Sequence, residues 1–337
     1  MYIDAPADVG ADLLRIEAGA ADAEQNGYDG FGIPEARHDV FTALTLAARA
    51  TSRITLQSAI AVAFARNPMS LAVSANDIQL ISGGRLRLGL GSQVQQHIER
   101  RYSMPWGQPA ARMEEFIAAV RAIWSCWATG ERLAFRGRFY QHTLMTDFFN
   151  PGPNPYGNPP IWLAAVGERM ATVAGRVADG ILCHPFTTPA YLRERTLPAV
   201  RNARGSLDGF DCVLSVMAVL GADEKARSEA ARAVRRQIAF YGSTPAYRPV
   251  LELHGWGELH DRLNALSRRQ AWDEMADLVD DDVLDAFAVS GTPEQVAAAL
   301  RGRFGGIVTR LSLYTPYEVD RELAAQVVAA LRAADAA

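Results

Sequence analysis

A chain of 337 residues, 49% hydrophobic and 21% charged, has the balance of a soluble globular protein and the length for one large α/β domain or two small ones. Its formal net charge is −4 and it has no long basic run, which argues against bulk nucleic-acid or anionic-membrane binding. Cys126, Cys183 and Cys212 lie far apart without metal-ligand spacing, residues 1–10 lack the basic and apolar regions of a secretory signal, and no apolar run reaches the ~20 residues of a membrane span, so a cytoplasmic protein is expected.

A first strand is predicted at Tyr2–Ala5. Asp12–Asn26 is helical in period through Leu13, Leu14, Ile16, Ala20 and Ala23, and Gly27 stands where a helix C-cap belongs. Tyr28–Ile33 reads as strand two, Phe41–Ala50 as a helix, and Ile54–Phe64 as one longer third strand. Asn67 suits the cap, and Pro68 the first turn, of a helix that stops at Ser82-Gly83-Gly84. Leu86–Gly91 is strand four. Arg112–Trp127 is an amphipathic helix, with Met113, Phe116, Ile117, Val120, Ile123 and Trp124 on one stripe. The pattern then breaks: residues 133–142 read as a small hairpin turning at Arg136-Gly137, and residues 151–160 as a rigid loop. IWLAA has no polar alternation, so it reads as a strand buried on both faces. Gly167 leads from it into a helix, Glu168–Val177, and a sixth apolar strand follows Asp179-Gly180. Beyond it come a helix at Pro189–Arg204, strand seven at Val213–Leu220 and a long charged helix at Asp223–Tyr241. A mostly helical excursion spans Tyr241–Trp272, followed by an acidic helix at Glu274–Phe287 and another at Thr292–Phe304. Strand eight at Leu311–Tyr314 and a helix at Glu318–Ala333 complete the series.

Eight strands alternating with helices, with no shift of composition along the chain, favour an α/β fold: a (β/α)8 TIM barrel forming a single domain over 1–337, with insertions at about 128–160 and 241–275. A doubly wound open sheet is the alternative, and it usually lacks so even a spacing. Barrels carry chemistry at the C-terminal ends of their strands, which selects Pro34–His38, Ala59–Arg66, Gly89–His97, Ala165–Glu168, Cys183–Pro185 and Tyr314–Tyr317.

Within those segments His38 is the residue suited to pass a proton near neutrality, with Glu35 or Asp39 placed to orient its ring; Asp39 could equally cap the following helix. A histidine that merely caps from a surface loop is the plainer alternative. Small residues alternate through Ser58–Ala63, leaving room for a flat ligand or for barrel-interior packing. Gly89-x-Gly91 does not continue into a dinucleotide fingerprint. Gly167, at a helix N-terminus, is either an anion cradle or a tight turn without a ligand. His254 and His260 lack ligand partners at metal spacing, and Asp280-Asp281-Asp282 reads as a solvated helix face, so no metal site is expected.

Five segments together carry a family resemblance over nearly the whole chain: PEARHD, AIAVAFARNP, GGRLRLGLGS, FRGRFY and AAVGERMATVAGRVADGIL. They resemble the luciferase-like monooxygenase superfamily, in particular the branch that uses the deazaflavin coenzyme F420. The resemblance implies a bacterial luciferase-like barrel, a homodimer, and a cofactor site at the C-terminal face. It places a cis non-proline peptide near Ala59-Ile60, assigns Ala59, Ile60, Ala61, Gly91 and Gln93 to the cofactor ring, and gives its phosphate to the backbone N–H groups of Val166, Gly167 and Glu168. His38 corresponds to the family's histidine beside the reactive carbon. Gln93 stands where some deazaflavin dehydrogenases carry a glutamate, and Gln cannot move a proton as an acid, so a His/Glu pair is not expected here. Thr42 stands where many members carry a tryptophan. The implied reaction is hydride transfer between F420 and a small organic substrate. An FMN-dependent monooxygenase using molecular oxygen remains open, as does a cofactor-free barrel acting as a binding subunit.

Overall fold

The computed structural model describes residues 1–7 and 12–333. In chain order the strands are β1 (Tyr2–Pro6), β2 (Gly30–Ile33), β3 (Thr55–Ser58), β4 (Ala61–Val62), β5 (Leu86–Gly91), β6 (Phe135–Arg136), β7 (Gln141–His142), β8 (Ile161–Ala165), β9 (Gly180–Cys183), β10 (Asp211–Val219), β11 (Ala288–Ser290) and β12 (Arg310–Tyr314). The helices are α1 (Ile16–Gln25), α2 (Val40–Ala50), α3 (Pro68–Ile81), α4 (Pro109–Thr129), α5 (Glu168–Val177), α6 (Pro189–Tyr191), α7 (Leu197–Arg204), α8 (Glu224–Gly242), α9 (Arg248–Leu253), α10 (Gly257–Arg268), α11 (Trp272–Asp277), α12 (Asp281–Phe287), α13 (Pro293–Phe304) and α14 (Arg321–Ala333). They group into two compact units.

One unit comprises Ala5–Leu182 and Ala199–Asp211. Its strands run parallel in the order β2, β3, β5, β8, with Phe31 opposite Leu56, Leu56 opposite Leu86, and Leu88 opposite Ile161. Ile161, Trp162 and Leu163 are fully buried, as a strand covered on both faces requires. Helices α1 to α5 pack each on the next in chain order. Their starts are set locally: Asp39 accepts the Thr42 N–H at 2.9 Å to open α2, and Asn67 accepts the Ser70 N–H at 2.9 Å to open α3. The small hairpin β6–β7 forms as expected, and its turn is tied to α4 by Glu115, whose carboxylate accepts the N–H groups of Arg138, Phe139 and Tyr140.

The other unit comprises Met1–Asp4, Cys183–Pro198 and the chain from Cys212 onward. Here β10 pairs in parallel with β12 (Val213 opposite Arg310) and, at its far end, with β11 (Met217 opposite Ala288), while Tyr2 of β1 lies opposite Arg310. Its core gathers Phe186, Met217, Val234, Ile238, Leu251 and Phe287. Within it Arg310 makes a two-pronged ion pair with Asp4 (Nε–Oδ2 2.9 Å, Nη2–Oδ1 2.5 Å), and both residues are buried.

Two expected elements come out differently, and one strand is new. The third strand is not continuous: it stops at Ser58, resumes as β4 and then winds into a 3-10 turn at Ala63–Ala65. The acidic helix at 274–287 is two helices, because Asp280 turns its carboxylate onto the Val283 N–H (2.9 Å) and opens a new one. Strand β11 was not anticipated.

Candidate active site

The interruption of the third strand is where the site is built. The Ala59–Ile60 peptide is cis, at the place the resemblance implies. The Ala59 N–H donates to Ile33 O at 2.8 Å, and Ile60 O accepts the Glu35 N–H at 3.3 Å, so the loop after β2 holds both sides of this peptide. Ala59 is exposed, Ile60 is half-buried, and Ala61 is fully buried opposite Leu90 and presents no surface.

The Glu35 side chain completes the anchor. Its carboxylate accepts the Val62 N–H at 2.7 Å and takes the Arg66 guanidinium two-pronged, Nη1–Oε2 2.7 Å and Nη2–Oε1 2.5 Å. Arg66 Nη2 also reaches Asp39 Oδ2 at 2.7 Å, and the guanidinium lies over the Phe41 ring. Burial would raise the Asp39 carboxyl, but the Thr42 N–H and Arg66 outweigh it and hold it below its ordinary value. Burial would likewise lower Arg66, and the two carboxylates reverse it. Glu35 and Asp39 therefore grip Arg66 and do not orient His38. His38 is exposed between these two anchors, with no hydrogen-bond partner to its ring among the described residues. Thr42 is exposed, and its Oγ1 donates to Asp39 Oδ1 at 3.2 Å. Sequence reading missed the Glu35–Arg66 clamp; the signal was a carboxylate at the end of one strand and an arginine just past the next.

Strand β5 is shaped to this irregular neighbour. A Cβ on Gly89 would stand 1.9 Å from Ser58 O, and Ser58 Oγ donates to Gly89 O at 2.8 Å. A Cβ on Gly91 would stand 2.8 Å from the Ile60 side chain. Gly91 is therefore buried behind Ile60. Gln93 takes a left-handed backbone (φ 61) and folds its Oε1 back onto the Val94 N–H at 3.0 Å, so its amide shapes the loop.

Beside β5 runs β8, Leu90 opposite Leu163, and beyond it the chain turns at Gly167 into α5. Gly167 caps α5 with extended backbone and no side-chain hydrogen bond, whereas Asp39, Asn67, Asp223, Asp280 and Thr292 each cap a helix with an oxygen. It is exposed, and an added Cβ there would meet nothing within 4 Å. An open helix N-terminus of this kind accepts an anion: its N–H groups point outward and the helix dipole favours negative charge. Val166 is half-buried and Glu168 exposed beside it.

The second unit carries an aromatic cluster after β9. His184 stacks on Tyr247 (centroids 4.6 Å apart, 28° between planes) and meets Tyr241 edge-on (4.6 Å, 83°), and the Tyr241 and Tyr314 hydroxyls lie 3.1 Å apart. No group of side chains suited to a metal ion occurs among the described residues, and no described helix is long and apolar enough to cross a membrane. Cys126, Cys183 and Cys212 are free and buried.

Parallel strands each followed by a helix, a strand broken at a cis peptide, and an uncapped helix N-terminus two strands on define a class, and comparison with known proteins agrees. The profile of the luciferase-like monooxygenase family matches residues 3–310, and the chain belongs to that family. Among its relatives is the uncharacterized protein Rv1360 of Mycobacterium tuberculosis, 52% identical over 303 residues and covering 89% of each chain. A 5,10-methylenetetrahydromethanopterin reductase of Archaeoglobus fulgidus is 28% identical over 317 residues, covering 91% of each. The structure of the coenzyme F420 dependent tetrahydromethanopterin reductase of Methanopyrus kandleri superposes with a TM-score of 0.79 at 22% identity, over 97% of this chain and 96% of that one. That likeness shows the fold to be the (β/α)8 barrel.

Proposed function

We propose that the chain is an oxidoreductase that transfers a hydride between coenzyme F420 and a small organic substrate. The observation that carries this reading is the open, uncapped N-terminus of α5 at Gly167, which fits the phosphate of a flavin-type cofactor. The Methanopyrus kandleri reductase just described, which is coenzyme F420 dependent, supports the deazaflavin form. When bound, the cofactor supplies the carbon that gives or takes the hydride. Val166, Gly167 and Glu168 would hold its anionic end through main-chain N–H groups. Ala59 and Ile60 would meet its planar ring, with Gly91 leaving the space that Ile60 occupies. His38, exposed on a loop that Glu35 and Asp39 fix at both ends, gives or takes the accompanying proton at an imidazole nitrogen.

Fluorescence titration of F420 against the purified protein, with FMN titrated in parallel, tests the cofactor. F420 bound in preference to FMN is the expected result. Preference for FMN, or binding of neither, would overturn it. His38→Ala should then lower turnover by roughly 10²–10⁴ while leaving F420 affinity in place.

A further inference from the structure

The aromatic cluster of the second unit has hydrogen-bond donors that the protein itself does not use. His184 accepts the Phe186 N–H at Nδ1 (3.1 Å), which places its proton on Nε2, and no described residue accepts that proton. The Tyr241 and Tyr314 hydroxyls satisfy one another with a single hydrogen, so the second hydrogen of the pair is free to donate. Tyr317, close by in sequence, shows the contrast: its hydroxyl donates to Ala218 O at 3.0 Å and accepts the Leu220 N–H at 2.7 Å, which is a structural role.

The cluster is also without charge. Burial brings His184 down to about 4 and pushes Tyr247 up to about 12, so both are neutral at physiological pH. Arg248, beside Tyr247 in sequence, is engaged by Glu252 and Asp261. Behind the rings lies apolar core: Phe186 is stacked on Phe287 at 4.4 Å and sits 5.5 Å from Tyr247. Half-buried, uncharged rings with two idle donors suit a flat molecule that presents one neutral acceptor better than an anion, whose desolvation uncharged donors repay poorly.

We propose that His184, Tyr241, Tyr247 and Tyr314 form the binding site for an uncharged, planar organic molecule bearing a carbonyl oxygen, which His184 Nε2–H and a tyrosine hydroxyl grip. Only in naming this molecule as the substrate does the inference rest on the oxidoreductase reading. Ketone binding would then be the step that decides which compounds turn over.

Three probes of one shape separate the contributions: 2-acetylnaphthalene, its anionic counterpart 2-naphthoate, and 2-ethylnaphthalene, which lacks the acceptor. Calorimetric titration of the wild-type protein should rank the ketone about tenfold or more tighter than either of the others. His184→Phe keeps the stacked ring and removes the donor. It should weaken the ketone about tenfold and leave 2-ethylnaphthalene unchanged. Naphthoate binding as tightly as the ketone, or an equal loss for all three probes in His184→Phe, would overturn the site. The wild-type ranking needs no variant, so a misfolded His184→Phe does not rescue the idea. F420 titration of the same preparation reads the cofactor separately. F420 unbound with the ketone ranked first overturns the redox reading and supports the site; F420 bound with naphthoate ranked first overturns the site alone.

Discussion

Removing the Glu35 carboxylate should destabilise the first unit sharply. Glu35 is only 6% exposed at its side chain and Arg66 17%, so the pair is nearly dry. Glu35→Ala would delete two charge-assisted bonds to Arg66 and the acceptor for the Val62 N–H. Breaking a buried pair by deleting one member costs ~3–5 kcal/mol, because the other charge stays behind. Here Arg66 keeps its bond to Asp39, which is half exposed, so the low end of that range, about 3 kcal/mol, is expected. Glu35→Gln keeps an acceptor for Val62 and loses only the charge, and should cost about half as much. Arg66→Met alone strands the Glu35 carboxylate, whereas the double variant Glu35→Gln/Arg66→Met leaves neither charge unpaired. The two single costs should therefore exceed the double by about 2 kcal/mol. Urea unfolding followed by far-UV circular dichroism measures all four variants against the parent. Strictly additive costs, or a Glu35→Ala loss below about 1 kcal/mol, would refute the clamp as the element that holds the loop after β2 to the segment after β4.

Gly89→Ala places a methyl 1.9 Å from a backbone oxygen that cannot swing aside, and should cost about 3 kcal/mol or more in the same unfolding assay, or yield no folded protein. Gly167→Asp has room and a compatible backbone, so stability should hold or rise by a few tenths of a kcal/mol. The same change sets a negative charge where the cofactor phosphate would sit, so F420 affinity should fall about tenfold or more; undiminished affinity would remove α5 as the cradle. Glu24 gives a pH signature. Burial works against its ionisation, but the N–H groups of Arg53, Ile54 and Ser52 and the Ser52 hydroxyl outweigh it and lower the group to about 2. A folded value below the unfolded one means stability present above about pH 4.5 and lost as pH falls toward 2. Urea midpoints measured across that window should fall less steeply in Glu24→Gln than in the parent.

What the sequence revealed was whatever neighbouring residues decide among themselves. Asn67-Pro68 and Thr292-Pro293 open helices with their own side chains, and LRLGLG occupies β5 residue for residue. The continuous third strand was misread because its break is enforced from elsewhere: Glu35, 27 residues earlier than Val62, supplies the acceptor that the local sequence does not show. Asp280 carried a readable signal, since an aspartate inside a helix competes for backbone N–H groups, yet the run of three acids masked it as a charged face. The three residues of β11 are too short for any period. At the candidate site, Gly167 and His38 stood out by their positions at strand ends, each beside a plainer reading as a tight turn or a capping surface histidine. The aromatic cluster was legible only in part: Cys183–Pro185 and Tyr314–Tyr317 stood among the selected strand ends, but nothing local brings His184 and Tyr314 together with Tyr241 and Tyr247.

The Asp4–Arg310 pair joins residues 306 apart in the chain. At roughly 5–20 residues per second of synthesis, about 15–60 s separate the appearance of one from the other on a ribosome. Through that interval the strand bearing Asp4 has no β12 to lie against, while the unit built from Ala5–Leu182 and Ala199–Asp211 has all of its own residues once Asp211 is made, well before Arg310. Translation therefore delivers one unit whole and leaves the other waiting on its last strand, an order that a pulse of protease on stalled nascent chains would record.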